Sequence, residues 1–436
     1  MPIIALIFLF CGGAYGLNWT ELTPSEGPTP PVRMRAAGVY DPVGHRLIVI
    51  GGRTSGRELN DVWAFDLENN VWTELTPSGG EAPVPRSTHN AVYDAAHHRV
   101  IVWSGRDGNI LQNDVWAFSL VSPAWFAYEP SGTAPNIRYG TAAVFDPVAG
   151  ELVTFAGFTD EGRFEDSWRF DLDSVAWTDI SPQEGNPGKR CLHTASYDSR
   201  DHRMLVYGGQ RGSSALNDIW ALDLSRDLWS ELTPEVSPPG RFFASSAYDT
   251  RDHRLLIFGG NRGSDDKVNE VWSLDLEERS WELLEAEGMP PAARDGAVMI
   301  YVEAERRLIV FGGAAPVGLF NDVWALEGLE PPIPTAIEER AARPNSFVLH
   351  QNAPNPFNPS TVVSYELGQE GWVELEIFDL LGRKVRTLVD ERRGSGSHVA
   401  AWDGRDDRGA QVATGAYLYR LRAGGFVASR KLLLIR

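Results

Sequence analysis

The chain has 436 residues, 43% of them hydrophobic, which is enough for two or three cored domains and excludes a wholly disordered class. Its formal net charge of −19 argues against nucleic acid or an anionic membrane surface as the main partner. Fifteen tryptophans, most of them regularly spaced, imply a packing role that is repeated along the chain.

The first segment, Met1–Gly16, carries an apolar run from Ile3 to Phe10 followed by small residues. Ala14 and Gly16 sit at −3 and −1 of a cleavage point before Leu17, so the segment reads as a secretory signal peptide, too short to span a bilayer. Phe10 is too bulky to make Cys11 a lipoprotein site. Once Cys11 is removed, Cys191 has no partner, and the exported protein is held together without disulfides. No later stretch is apolar enough for a membrane helix, so the mature protein is expected to have no membrane span.

From residue 17 to 328 the sequence repeats. The phrase NDVWAFDL at Asn60–Leu67 returns as NDVWAFSL, EDSWRFDL, NDIWALDL, NEVWSLDL and NDVWALEG. Its tryptophans are Trp63, Trp116, Trp168, Trp220, Trp272 and Trp324, spaced 52 or 53 residues apart. A second tryptophan follows nine residues later in the first five copies (Trp72, Trp125, Trp177, Trp229, Trp281). Upstream lie an apolar run ending in a small pair such as Gly51–Gly52 and, before it, a segment opening with Arg33, Arg86, Arg138, Arg190, Arg241 or Arg294. Each unit therefore offers four short strands, the pattern of one propeller blade. Six such units make a six-bladed, all-β propeller, and the small pair and two spaced aromatics resemble the Kelch family. The sixth unit lacks its second tryptophan, and the missing phrase, NWTELTP, stands at Asn18–Pro24. The N-terminal strand is thus expected to complete the last blade and close the ring.

Residues 329–345 read as a linker, and 346–436 as a small β-sandwich of about seven strands. Its landmarks are Asn355-Pro356-Phe357-Asn358-Pro359, Asp379–Gly382, Trp402-Asp403-Gly404 and Gly415–Tyr419. These resemble the C-terminal sorting domain of type IX secretion cargo and the related FlgD-like immunoglobulin-like module. The resemblance implies a secreted or cell-surface protein of a Gram-negative-type bacterium, with the tail addressed to the secretion machinery.

A residue repeated in every blade is read as structural, so the six arginines are expected to pair with Asp61, Asp114, Asp166, Asp218, Glu270 and Asp322 rather than with a ligand. Function is sought where the blades differ. The position after each repeated Arg holds Met34, Ser87, Tyr139, Cys191, Phe242 and Asp295, and the position after each small pair holds Arg53, Arg106, Phe158, Gln210, Asn261 and Ala314. Both sets are placed on one face, and Arg53, Arg106, Tyr139, Phe158, Gln210, Phe242 and Asn261 are the candidate ligand residues, a mixture suited to a protein or carbohydrate ligand. The alternative is a Kelch-type extracellular enzyme, resembling a galactose-oxidase-like copper oxidase through Tyr139, Cys191, His89 and His193, or a sialic acid epimerase. No metal set, cofactor site or catalytic constellation can be assembled from the sequence. His97, His98, His202 and His253 are read as solvated loop residues on the opposite face, and Asp403, Asp406 and Asp407 as a polar turn.

Overall fold

The computed structural model describes residues 16–77, 79–182, 184–329 and most of 348–434. The signal peptide and the linker expected above lie almost entirely outside the described residues. The chain divides into two compact units near residue 333.

The first unit consists of six four-stranded antiparallel sheets. Blade 1 runs through Ala37–Asp41, Arg46–Arg53, Glu58–Asp66 and Val71–Glu74, and the next four blades repeat that order. Each innermost strand neighbours that of the next blade, and the sixth neighbours the first, so the ring is closed. Small residues at those strands (Ala36, Ala37, Gly38) allow the crowding: a Cβ on Gly38 would meet Val298 of blade 6 at 2.4 Å.

Blade 6 takes Val298–Val302, Arg307–Ala315 and Gly318–Glu327 from its own repeat and its outermost strand, Asn18–Glu21, from the other end of the propeller. Trp19 pairs with Leu326 and Glu21 with Trp324, as the missing tryptophan phrase required.

The second tryptophan of each blade fills the wedge against its predecessor. Trp72 packs on Phe311 of blade 6, Trp177 on Trp103, Trp229 on Phe155 and Trp281 on Tyr207, with centroids 4.6–5.4 Å apart. Trp19 does the same against Phe258 of blade 5, at 5.8 Å. In each case the receiving aromatic stands just before the small pair. Pairs of this size add roughly 0.5–1.5 kcal/mol to the apolar burial itself.

The small pair is a bulge in the second strand, with register shifting between Ile50 and Gly52 in blade 1. Gly51 and Gly52 have φ of 56° and 97°, and a Cβ on Gly52 would come within 2.8 Å of Ala36. The bulge frees the Gly52 N–H to donate to the carbonyl of Arg86 in the next blade, and the same bond recurs around the ring to Gly313 and Arg33.

The six arginines are straps. The backbone of Arg33 is bonded to Phe320 and Gly313 of blade 6, while its guanidinium reaches into blade 1. There it donates to the Gly51 carbonyl at 2.8 Å and to both oxygens of Asp61 at 2.7 Å. The same acid accepts from the Trp63 indole at 2.8 Å. All six pairs expected from the sequence form, and all six arginines are at most 1% exposed. Burial alone would raise the Asp218 carboxyl, but Arg190 and the Trp220 indole outweigh it and hold it below its ordinary value.

On the face carrying the first-to-second-strand turns, His98 and His202 are not free loop residues. His98 donates from Nε2 to buried Asp41 of the preceding blade at 3.0 Å, and His202 to Asp146 at 2.9 Å. His45 spans the closure to Glu305 at 2.7 Å. These histidines adopt positive φ, which turns the ring toward the neighbouring blade, a conformation that sequence spacing does not reveal. His97 alone of these is largely exposed.

The second unit is a β-sandwich. One sheet pairs Val348–Leu349, Thr361–Leu367 and Gly396–Trp402; the other orders Lys384–Arg393, Gly371–Phe378, Gly415–Ala423 and Phe426–Leu434. Alternating residues of both sheets, among them Tyr365, Leu375, Trp402 and Tyr419, form its core. Asp403 and Asp406 cap their own turns through backbone N–H groups.

Candidate ligand site at the channel mouth

The two variable sets meet. Six antiparallel bridges join Met34 to Arg53, Ser87 to Arg106, Tyr139 to Phe158, Cys191 to Gln210, Phe242 to Asn261 and Asp295 to Ala314. Every pair surrounds the same end of the central channel.

Just inside them lies a ring not anticipated from the sequence. Arg35 N–H donates to Gly296, Gly296 to Phe243, Phe243 to Leu192, Leu192 to Gly140, Gly140 to Thr88 and Thr88 back to Arg35, at 2.7–3.2 Å. All six residues have φ between 54° and 64°, four of them non-glycine. The left-handed backbone points each N–H along the ring instead of along a strand. Behind the ring, a channel cavity of about 200 Å³ is lined by small and hydroxylic residues such as Thr141, Thr194 and Ser245.

The candidate residues fall into three groups. Arg106 lies over the Tyr139 ring at 4.8 Å, Tyr139 meets Phe158 edge-on, and Arg163 lies over Phe158 and donates to Gln210 at 3.0 Å. Arg106, Tyr139 and Phe158 therefore stack in sequence, and Arg163 continues the contact to Gln210, across blades 2 to 4. Phe242 and Asn261 form a second group, with Phe243 packed on Phe242 and Asn261 donating to Asp295. Arg53 stands apart, engaged by buried Glu58 at 3.1 Å. Arg35, Phe243, Asp295 and Arg163 join the site although sequence reasoning did not select them. Arg35 and Phe243 sit two residues after the repeated Arg, a position at which the blades also differ.

Tyr139, Cys191, His89 and His193 do not converge as a metal set. Among the described residues the trio of donors that does approach is Asp198, Asp201 and His253, on the opposite face. Arg203 already engages both carboxylates, and Tyr248 bonds to the imidazole.

His89 and His193 line the channel, buried beside Arg86 and Arg190. Burial first, then the adjacent guanidinium, pushes each imidazole down to about 3. Because the folded value lies below the ordinary 6.5, this contribution to stability is complete above pH 6.5 and is lost as pH falls toward 3. At pH 5.5 each histidine is expected to cost about 1.4 kcal/mol of unfolding free energy. Urea titrations at pH 7.5 and 5.5 check this: His89→Gln with His193→Gln should flatten the dependence, and an unchanged slope would refute it.

A six-bladed ring strapped by buried arginines, with its variation gathered at one mouth, defines a Kelch-type propeller. The profile of the KLHDC2/KLHL20/DRC7 Kelch-repeats domain matches residues 9–136, 94–241 and 232–330, and the chain belongs to that family. The FlgD Ig-like domain matches residues 361–425, the C-terminal sandwich. Among relatives, the flagellar outer-arm dynein alpha chain of Chlamydomonas reinhardtii is 27% identical over 66% of this chain but only 7% of its own length. The leucine-zipper-like transcriptional regulator 1 homolog of Drosophila melanogaster is 26% identical over 69% of this chain and 32% of its own. Kelch domain-containing protein 3 of Homo sapiens is 29% identical over 69% of this chain and 81% of its own. No helix among the described residues is long and apolar enough to cross a membrane.

Proposed function

We propose that this is a secreted or cell-surface binding protein of a Gram-negative-type bacterium. The propeller holds a protein or carbohydrate ligand at the channel mouth, and the C-terminal sandwich acts as a sorting tail for the secretion machinery. One observation carries the binding role: blades that share the Arg–acid–Trp frame differ at the bridged positions gathered around one opening. The FlgD Ig-like match and the leader-like N-terminus support the export role.

Expressed in a bacterium with type IX secretion, the full chain is expected outside the cell, and a chain ending at residue 345 in the periplasm with its propeller folded. Applied to an array of glycans and peptides, the propeller should lose its ligand on Arg106→Ala with Tyr139→Ala. It should keep that ligand on Val43→Arg with Val148→Arg, exposed turn tips of the opposite face. Arg53 is a poor probe, because its removal leaves Glu58 buried and unpaired. Equal secretion without the tail overturns the sorting role, and binding lost only in the turn-tip variant places the ligand face on the wrong side.

A further inference from the structure

We propose that the channel mouth is built for a carboxylate-bearing monosaccharide unit, a uronic acid. Arg35 and Arg106 would hold its carboxylate, and Asp295 would accept from an adjacent hydroxyl. The inference rests on the ligand-face reading above and narrows it to a chemical class.

The chain carries 59 acidic residues against 40 Lys and Arg, so its cations are readily matched by carboxylates. The six strap arginines all are. Among the described residues, Arg35 and Arg106 are not: neither forms an ion pair, and the Nε of each is buried without a hydrogen-bond partner. Both guanidiniums lie instead over aromatic faces, Arg35 over Phe243 at 4.1 Å and Arg106 over Tyr139 at 4.8 Å. Stacking fixes each plane while leaving edge N–H groups to donate, the arrangement in which a guanidinium binds an oxyanion.

The two guanidiniums also act on one another. The Arg35 guanidinium is held below its ordinary value by burial, with Asp295 opposing and Arg106 and Arg53 adding to the shift. Asp295 offsets part of this repulsion, but neither guanidinium is held in an ion pair, so a further anion bound by both is stabilising.

Asp295 supplies the second feature. It is 4% exposed, and its Oδ2 is reached by Asn261 at 3.4 Å and by Lys267 at 4.0 Å. Its Oδ1 is buried and accepts no hydrogen bond. Such an oxygen is costly unless something donates to it. A ligand that gives a carboxylate to the arginines and a hydroxyl to Asp295 satisfies both deficits at once. The hydroxyl-lined channel cavity of about 200 Å³ behind the mouth suits a ligand rich in hydroxyls.

The test uses the mature full-length chain with D-galacturonate, D-galactose and propionate as calorimetric titrants, and oligogalacturonate against the free sugar acid to separate a polysaccharide end from a monosaccharide. Galacturonate is expected to bind at least about tenfold more tightly than galactose or propionate, and more weakly as salt rises. Arg106→Met and Arg35→Met should each weaken it about tenfold or more, and Asp295→Asn should weaken galacturonate while leaving propionate unchanged. Arg106→Met guards against a folding defect at Arg35, and melting curves accompany every variant. Equal binding of galactose with no effect of either arginine variant overturns the anion site but leaves the mouth as ligand face. Propionate or a peptide carboxyl terminus binding as tightly as galacturonate overturns the sugar class. No binding of galacturonate to the folded protein overturns the proposal outright.

Discussion

Deleting residues 17–24 is expected to abolish the cooperative unfolding of the propeller. The deletion removes the outermost strand of blade 6, leaves Leu326 and Trp324 without their outer ladder partners, and uncovers Phe258 of blade 5. Trp19 alone is 7% exposed, and replacing a buried aromatic of this size by Ala costs about 3–5 kcal/mol. The deletion adds an open sheet edge and breaks the nearest-neighbour chain of blades at its only covalent gap, so the loss exceeds that of Trp19→Ala. Equilibrium urea denaturation followed by far-UV circular dichroism measures it. A sharp transition at the original midpoint would show that the strand is ornamental.

The second large effect is expected from Arg190→Met. The side chain is fully buried and holds Asp218 through both oxygens, at 2.8 and 2.7 Å, while also donating to the Gly208 carbonyl at 3.0 Å. The substitution keeps most of the volume and removes every one of those bonds. Asp218 then retains the Trp220 indole alone, and a carboxylate left in that position costs about 3–5 kcal/mol. Removing the acid as well, in Arg190→Met with Asp218→Leu, should recover part of the loss, because the apolar pair no longer leaves a buried charge. A single-variant loss below about 1 kcal/mol would mean that the strap is dispensable.

Periodicity made the scaffold readable. Six copies of one phrase specify blade number, strand order and the partner of each strap arginine, since the Arg-to-acid spacing is 28 residues in five blades and 29 in the fifth. Closure was readable for the same reason: an orphan NWTELTP has one vacant place to go. The mouth was readable only in part. Variable positions next to invariant ones pointed to Arg106, Tyr139, Phe158 and Gln210, which do form one chain of contacts, the last through Arg163. Which guanidinium is free and which is taken depends on neighbours in other blades, and no spacing encodes that. Arg53 looked equivalent to Arg106 until Glu58 claimed it, and Arg35 was hidden because its left-handed backbone belongs to a ring of residues 52 or so apart. The histidines of the opposite turns were misjudged on the same ground, since their acids lie one blade away.

The antiparallel pairing of the closing strand sets Asn18 directly opposite Glu327. Chain entering before the one and chain leaving after the other therefore depart from a single point on the rim. Tension applied between those two ends loads the paired residues one after another, by peeling, and not all together in shear. Pulling along any other line has to strain wedge tryptophans and glycine bulges together, and not one ladder pair at a time. Drawn outward from the Glu327 side with the Asn18 side held, the propeller would spring open at the seam; drawn with that side free, it would travel as an unloaded, closed body.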